Sequence, residues 1–439
     1  MSLAYKSSTF THKMEDCEGK TILYNSLSGT IIRFDNQYDN VLNEILNKNQ
    51  YDDSEICKQL IAAKILIPFD FNESDYINKL RDDLINNNET LDILIYPTES
   101  CNLRCRYCWE NFKKNDMERQ IEESVIAFLE KHVPKYKRLY IKWFGGEPLL
   151  NVSAIKRIMK SSIEICRSNG VILSSSITTN GYLLTHEMVS HLIKHKIYEY
   201  QVTIDGLKED HDKMRVMPNG DGSFDVIVKN LMTIKKEVTN KLLRILIRTN
   251  FNEGNINRIH EYAKLYIDLF GGDNRFSAYW NAVQDWGGNA VHDVGNMLID
   301  NYDKTMINII AEKYNIPMII ENSLLNPGGY ACYAGKRNSY IFGSDGLVYK
   351  CPQKIYDDYN KVGRLDINGE LVLEKHKYEE WVLPTTEEKC NTCILRPSCL
   401  SARCPKRKFT KQECQLKIEQ LERAILTFAN NKYNYIEFK

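Results

Sequence analysis

Thirteen cysteines are spread unevenly along this 439-residue chain. Cys101, Cys105 and Cys108 form C-x3-C-x2-C, while Cys390, Cys393, Cys399 and Cys404 crowd into a second short stretch flanked by Cys332, Cys351 and Cys414. The first residues, Met1-Ser2-Leu3-Ala4-Tyr5-Lys6, carry no apolar signal core. An odd, clustered set of cysteines in such a chain favours metal ligands over disulfides. Three thiolates on one tight loop can hold three irons of a 4Fe–4S cluster and leave the fourth iron open for chemistry. The competing use is structural zinc, which wants four closed ligands and usually pairs C-x2-C with a second such pair. An isolated C-x3-C-x2-C fits zinc poorly. A zinc ribbon on Cys390, Cys393, Cys399 and Cys404 is the matching alternative for the tail. Cys17, Cys57 and Cys166 stand apart and read as ordinary small residues.

Composition limits what such ligands can serve. Apolar residues make up 43% and charged residues 26%, and the length leaves room for two or three domains with ample core. Lys plus Arg (58) balances Asp plus Glu (58), so no net field draws the chain to nucleic acid or an anionic membrane. No run approaches the roughly 18 apolar residues of a membrane-spanning helix. The expected setting is the cytoplasm, with neither nucleic acid nor membrane as partner.

The elements that must position the cysteines fall into three patterns. Residues 20–35 read as a hairpin turning at Leu27-Ser28-Gly29. Two helical patterns follow. One has Val41, Leu42, Ile45 and Leu46 on its apolar face; the other has Ile56, Leu60 and Ile61, after Asp52, Asp53 and Ser54 as cap candidates. A short strand at 65–69 and a helix from Glu73 to about Asn87 complete a unit that resembles a small winged helix. A polar break over 86–90 ends it. From residue 91 strand alternates with helix. Strands are expected at 91–97, 139–145, 171–181, 198–206, 242–250 and 275–283, and helices near 119–132, 152–168, 185–195, 224–236 and 255–269. Repeated βα units imply a parallel sheet with right-handed crossovers. The triple cysteine follows the first of these strands, where α/β proteins assemble active sites. After about residue 300 the alternation fades into hairpins, loops and a final helix near 411–430.

C-x3-C-x2-C with an aromatic residue, Tyr107, just before the last cysteine resembles the signature of the radical S-adenosylmethionine (SAM) enzymes. Further landmarks fall in the family's order, each at an expected strand end. Gly145-Gly146-Glu147-Pro148 resembles the GGEP motif, whose backbone groups hold the methionine amino group of SAM. Thr178-Thr179-Asn180-Gly181 resembles the polar strand end that contacts the SAM ribose and carboxylate. Gln201-Val202-Thr203-Ile204-Asp205-Gly206 resembles the S-x-D-G segment, with Thr203 in place of serine, and His211-Asp212-Lys213-Met214-Arg215 follows it. Arg248 is placed to reach the SAM carboxylate. The resemblance implies an α/β partial (β/α)6 TIM-type barrel, with a cluster on Cys101, Cys105 and Cys108 that reduces bound SAM to methionine and a 5′-deoxyadenosyl radical.

The remaining cysteines, with Gly346 in the turn between Cys332 and Cys351, resemble the seven-cysteine SPASM domain of peptide-modifying radical SAM enzymes. That resemblance implies two auxiliary 4Fe–4S clusters, three clusters in all. One would lie on Cys332, Cys351 and Cys404, the other on Cys390, Cys393, Cys399 and Cys414. Four residues separate Cys399 from Cys404 where the family usually has three, which bears on the assignment of Cys404. The basic run Arg403, Lys406, Arg407, Lys408 and Lys411 reads as a solvated face.

The expected organisation is a winged-helix-like leader-recognition domain over 1–88, a radical SAM barrel over 91–300, a bridging region over 301–330 and a SPASM domain over 331–439. In such enzymes the first domain adds the precursor's leader as a strand to a sheet edge, here TIIRFD or ILIPF. The implied reaction is hydrogen-atom abstraction from a ribosomally made precursor peptide and closure of a crosslink, a thioether first and a carbon–carbon bond second. Auxiliary clusters would accept the leftover electron, and a flavodoxin- or ferredoxin-type donor would supply electrons. Alternatives are an anaerobic sulfatase-maturing enzyme that makes formylglycine and a zinc-binding scaffold. Asp205 and Glu99 lie near the expected mouth, with no catalytic base assigned.

Overall fold

A computed structural model describes residues 4–48, 51–52, 54–111, 116–284, 297–299, 301–319, 322–382, 387–401, 404–405, 411–430 and 436–438. Asp53 and the basic residues Arg403, Lys406, Arg407 and Lys408 lie outside them. The chain divides into two compact units: Met1–Asn87 with Ile320–Arg337 and Glu380–Lys439, and Asn88–Ile319 with Asn338–Glu379. This grouping does not follow the linear order 1–88, 91–300, 301–330, 331–439, because tail segments pair with partners far back in the sequence.

In the first unit, β1 (Tyr5–Ser7), β2 (Thr11–Glu15), β3 (Thr21–Asn25) and β4 (Thr30–Phe34) precede α1 (Asp39–Lys48), α2 (Glu55–Ala62), β5 (Leu66–Pro68) and α3 (Glu73–Ile85). β2, β3 and β4 form an antiparallel meander, and a C-terminal strand, Ile436–Phe438, lies parallel along the outer edge of β4. Both faces of the sheet are covered, which is why β3 and β4 read as nearly continuous apolar runs. Leu23, Ile32 and Phe34 pack with Leu42 and Ile45 of α1 and Cys57 and Leu60 of α2. Ile22, Tyr24 and Ile31 pack with Leu421, Ile425 and Ala429 of the C-terminal helix Lys411–Asn430. Val41, expected on the apolar face of α1, is 40% exposed, because it lies at the rim of the face that Leu42 and Ile45 set, about 100° round the helix from Leu42. Ser54 caps α2, its hydroxyl accepting from Cys57 N at 3.3 Å, and Asn72 caps α3, which begins at Glu73.

In the second unit six parallel strands follow in sequence order: β6 (Thr90–Ile95), β7 (Arg138–Trp143), β8 (Ile172–Thr179), β9 (Glu199–Thr203), β10 (Arg244–Phe251) and β11 (Phe276–Ala282). Between them run α4 (Arg119–His132), α5 (Val152–Asn169), α6 (His186–Lys194), α7 (Lys208–Met214), α8 (Phe224–Glu237) and α9 (Ile259–Phe270); α10 (Asn301–Lys313) follows β11. This is the singly wound order of a partial barrel. Four tail strands extend the same sheet past β6. β12 (Ser339–Phe342) pairs parallel with β6, and β13 (Leu347–Tyr349), β14 (Lys361–Leu365) and β15 (Leu371–Leu373) continue as an antiparallel meander. Gly346 lies in the turn between β12 and β13.

The pleat sorts side chains by alternation. Ile93, Ile141, Val202, Ile247 and Ala278 are fully buried. The opposite face carries Asp92, Lys142, Gln201, Arg248 and Tyr279, all half-buried and mostly polar. Strand registers align these side chains across the sheet, with Lys142 2.8 Å from Asp92 and Thr203 opposite Arg248. Among the described residues no helix is long and apolar enough to cross a membrane.

Candidate active site

The three-cysteine loop starts where β6 ends and is held from two sides. On one side is the Gly145-Gly146-Glu147-Pro148 turn after β7. Gly145 has φ +129°, and a Cβ there would stand 2.3 Å from Thr98 O; one on Gly146 would stand 2.4 Å from Ser100 O. Glu147 N donates to Ser100 O at 2.8 Å. The two glycines let this turn lie directly on the backbone that leads into Cys101. The Glu147 carboxylate is fully buried and accepts from Leu149 N (3.0 Å), Thr179 Oγ1 (2.8 Å) and Asn180 N (2.7 Å). Burial pushes its carboxyl up, against the hydrogen bonds from Asn180, Leu149 and Thr179. Glu147 thus ties the end of β7 to the end of β8, and the Thr179 hydroxyl is taken up by it. Asn180 reaches the loop itself, its Nδ2 donating to Asn102 Oδ1 at 2.7 Å and lying 3.8 Å from Cys101 Sγ.

On the other side, Arg215–Val216 forms a two-residue antiparallel ladder with Arg104–Cys105, and Arg106 N donates to Met214 O at 3.0 Å. The buried Arg215 side chain donates from Nη1 to the Tyr107 hydroxyl at 2.7 Å. That hydroxyl donates to Asp205 Oδ2. Asp205 Oδ1 accepts from Asn250 N (2.9 Å) and Asn250 Nδ2 (3.1 Å), and Arg215 Nη1 stands 3.9 Å from Oδ2. Burial disfavours the Arg215 cation, but Cys105, Tyr107 and Asp205 beside it raise its proton affinity overall. The aromatic residue of the cysteine motif is therefore locked into the ends of β9 and β10. Arg248 donates from Nε to Asn250 Oδ1 at 3.0 Å and lies over the Tyr279 ring, which joins it to the same polar face.

His211 completes the clamp. Ser223 Oγ donates to Arg215 O (2.7 Å), so the hydroxyl accepts from His211 Nε2–H (2.9 Å), while Nδ1 accepts from Asp205 N (3.2 Å). Both ring nitrogens are used in the neutral form. Burial, then the Arg215 charge, holds the imidazole well below its ordinary pKa. The unfolded chain takes up this proton below about pH 6.5 and the folded chain does not, so stability must fall as pH drops through that value. The expected slope is about 1.4 kcal/mol per pH unit from this group. Urea melts between pH 7 and 5 should show it, and His211→Gln should flatten it; an unchanged slope would sink the argument.

Sequence reading passed over Arg215, Asn250 and Ser223. Arg215 stood in a quoted motif, but a ladder to Cys105 is a long-range pairing with no local signature. A second polar cluster sits beyond Cys108. The Tyr356 hydroxyl accepts from Asn111 N (2.9 Å) and lies 3.2 Å from Glu99 Oε2 and 3.1 Å from Glu110 Oε2, both carboxyls being buried. Burial, then Glu110, raises the Tyr356 pKa.

The three thiols are half-buried, and no group of three or more His, Cys, Asp or Glu side chains among the described residues closes around a single ion. A cubane asks for something else, since each cysteine binds its own iron. The loop fits that demand: two buried donors beside it, Asn102 Nδ2 and Arg215 Nε, find no protein partner and suit an anionic inorganic core. In the tail, Cys390, Cys393, Cys399 and Cys414 belong to the first unit, and Cys390 and Cys414 lie close enough to Cys393 to add to the burial that pushes its thiol up. Cys332 and Cys404 belong to the first unit and Cys351 to the second.

Residues 95–263 match the model of the Radical SAM superfamily. The chain carries a radical SAM domain and is a radical SAM enzyme, of a superfamily built on a 4Fe–4S cluster and SAM. It is 26% identical over 375 residues, 75% of each chain, to the radical SAM cyclopropyl synthase TigE of Paramaledivibacter caminithermalis. It is 22% identical over 367 residues to the serine-type anaerobic sulfatase-maturating enzyme of Bacteroides thetaiotaomicron, covering 73% of this chain and 84% of that one. Native anSMEcpe with bound AdoMet superposes with a TM-score of 0.61 at 19% identity, over 77% of this chain and 99% of that one. Streptococcus suis SuiB bound to precursor peptide SuiA superposes with a TM-score of 0.53 at 16% identity, over 94% of this chain and all of that one. The relatives include peptide-modifying enzymes, and the enzyme assignment sets aside the zinc-binding scaffold.

Proposed function

We propose that this radical SAM enzyme binds a ribosomally made precursor peptide through its leader and installs an intramolecular crosslink, a thioether first and a carbon–carbon bond second. The observation that carries the reading is the first unit: a small sheet with helices and a strand edge precedes the barrel, an arrangement suited to adding an extended peptide. The similarity to SuiB, whose structure holds a precursor peptide, extends over 94% of this chain, which takes in most of that unit.

Cys101, Cys105 and Cys108 would hold the SAM cluster, Cys332, Cys351 and Cys404 a second cluster, and Cys390, Cys393, Cys399 and Cys414 a third. Gly145, Gly146, Pro148, Asn180 and Thr203 would line the SAM site, with Tyr107, Glu147, Thr179, Asp205 and Arg248 fixing its walls. Cluster and SAM together would supply a radical able to take a hydrogen atom from carbon. The chain's own work is placement. Arg215, Tyr107 and Asp205 fix the cysteine loop against β9 and β10, and Glu147 fixes the turn beside it. Gln201, Arg248 and Asn281 offer hydrogen bonds to a peptide backbone from the polar face. Electrons would come from a flavodoxin- or ferredoxin-type donor.

The similarity to a sulfatase-maturating enzyme supports a second reading, oxidation of a Cys or Ser in a protein target to formylglycine. Anaerobic coexpression with candidate cysteine-containing precursor peptides, followed by tandem mass spectrometry, separates the two. The expected result is loss of one pair of hydrogens per link, absent with Cys105→Ala. An unmodified peptide despite intact SAM cleavage would overturn the crosslinking reading in favour of the second.

A further inference from the structure

The three-cysteine loop is fastened by the Gly145–Pro148 turn and by Arg215, and a third hold comes from the segment that carries Cys351. The Tyr356 hydroxyl, five residues after Cys351, accepts from Asn111 N at 2.9 Å and lies 3.2 Å from Glu99 Oε2 and 3.1 Å from Glu110 Oε2. Glu99 stands two residues before Cys101, and Glu110 two residues after Cys108. One hydroxyl therefore gathers both ends of the loop that bears all three thiols. Two further contacts run between the same segments. Ser344 Oγ, in the turn between β12 and β13, donates to Glu99 Oε1 at 3.4 Å, and the Tyr96 hydroxyl donates to Pro352 O at 3.4 Å.

The segment that supplies Tyr356 is itself held. The register of β13 against β14 shifts between Val348 and Tyr349, and beyond the shift the Asn360 side chain continues the pairing. Its Oδ1 accepts from Lys350 N (3.1 Å) and Cys351 N (3.0 Å), and its Nδ2 donates to Cys351 O (2.7 Å). A single buried amide thus grips the Cys351 backbone through both its N–H and its C=O. Ile355, fully buried, packs with Leu94, Tyr96, Ile341 and Tyr349, and the Tyr356 ring lies against the same group. Every residue of this arrangement belongs to the second unit.

We propose that Tyr356 is a positioning residue shared by two iron sites, bracing the three-cysteine loop from the Cys351 segment, so that a disturbance at Cys351 reaches the SAM site. The proposal rests on the reading of Cys101, Cys105 and Cys108 as ligands of the SAM cluster and of Cys351 as a ligand of a second one, and adds the physical link between them. Closing the twelve residues from Glu99 to Glu110 at one hydroxyl removes freedom that the loop would otherwise lose on taking up a cluster. Partners of this kind, one layer behind the ligands, set how well a metal site is presented.

The first test needs no iron. Tyr356→Phe keeps the ring and removes the hydroxyl, so in the full chain before reconstitution, peptides covering residues 99–111 should exchange their amide hydrogens about ten-fold faster, the effect of one buried hydrogen bond lost. Tyr349→Phe is the control. It removes a hydroxyl from the same hairpin, one that donates to Asp345 Oδ2 at 3.3 Å, and should leave exchange over 99–111 unchanged. The second test is a double-mutant cycle on the anaerobically reconstituted enzyme. Asn360→Ala loosens Cys351 and should weaken SAM binding, measured by equilibrium dialysis, about ten-fold, and alter the EPR signal of the reduced loop cluster with SAM bound. In the Tyr356→Phe background the same substitution should weaken SAM binding by less than about two-fold, because the link is already cut. Unchanged exchange in Tyr356→Phe, or an equal rise in Tyr349→Phe, would overturn the proposal, as would full additivity of the two substitutions. An unaltered chain that takes up no iron would instead sink the cluster assignment, and the exchange rates would still decide whether Tyr356 braces the loop.

Discussion

Asp205→Ala is expected to destabilise the protein by about 3–5 kcal/mol, the cost of leaving a buried cation unpaired, and to lower iron loading at the cluster site proposed for the three-cysteine loop. Asp205 is fully buried and takes hydrogen bonds from the Tyr107 hydroxyl and from Asn250 N and Nδ2, with Arg215 beside it. Without the carboxylate, Arg215 keeps its charge with no carboxylate to face it, and Asn250 N loses its acceptor. The Tyr107 hydroxyl then loses the carboxylate it donates to, and Cys105 and Cys108 flank that tyrosine in sequence. Thermal melts and iron content after anaerobic reconstitution check this. Arg215→Met in the Asp205→Ala background should recover part of the stability, because it removes the uncompensated charge, yet should not recover iron loading if the clamp positions the loop. Normal melting and full iron in Asp205→Ala would show that the loop holds itself.

Gly145→Ala should cost about 3 kcal/mol, from overpacking and a strained backbone together. The new Cβ would stand 2.3 Å from Thr98 O, and φ at this position is +129°. Neither carbonyl nor turn can retreat easily, because Glu147 fastens the same turn to Ser100, Thr179 and Asn180. Displacing reacting groups by about 1 Å can cost on the order of 100-fold in rate, so formation of 5′-deoxyadenosine from SAM should fall by a comparable factor. Gly170→Ala is the control. Gly170 is also left-handed, at φ +66°, but nothing lies within 4 Å of its Cβ position. That variant should lose about 1 kcal/mol and cleave SAM normally. Equal losses in both variants would show that left-handed strain, not the close approach at Gly145, sets the effect.

The six barrel strands were legible because each is a long apolar or alternating run bounded by a helix pattern. The cysteine motif and the strand-end motifs were legible because they are local. What sequence could not convey was non-local. β2 reads Thr-His-Lys-Met-Glu and is half-exposed, so it carries no apolar signal. The C-terminal strand is three residues long and acquires meaning only beside β4. Glu147 was legible as part of a motif but not in its role, since its partners Thr179 and Asn180 arrive from the next strand. Tyr107 was placed by its neighbour cysteine; the residues that hold it, Arg215 and Asn250, come from two later elements.

The interleaving of the two units bears on how relatives of this enzyme can be recombined. β12 continues the barrel sheet beside β6, and the C-terminal helix covers the sheet of β3 and β4. A chimera that exchanged everything after residue 330 as one cassette would give β6 a foreign neighbour and take the native cover off Tyr24 and Ile31 at the same time. Exchange along the grain of the fold pairs residues 1–87 with 320–337 and 380–439 and leaves 338–379 with its barrel. On the proposed leader-binding role of the first unit, peptide preference should move between enzymes only when all three of its segments move together.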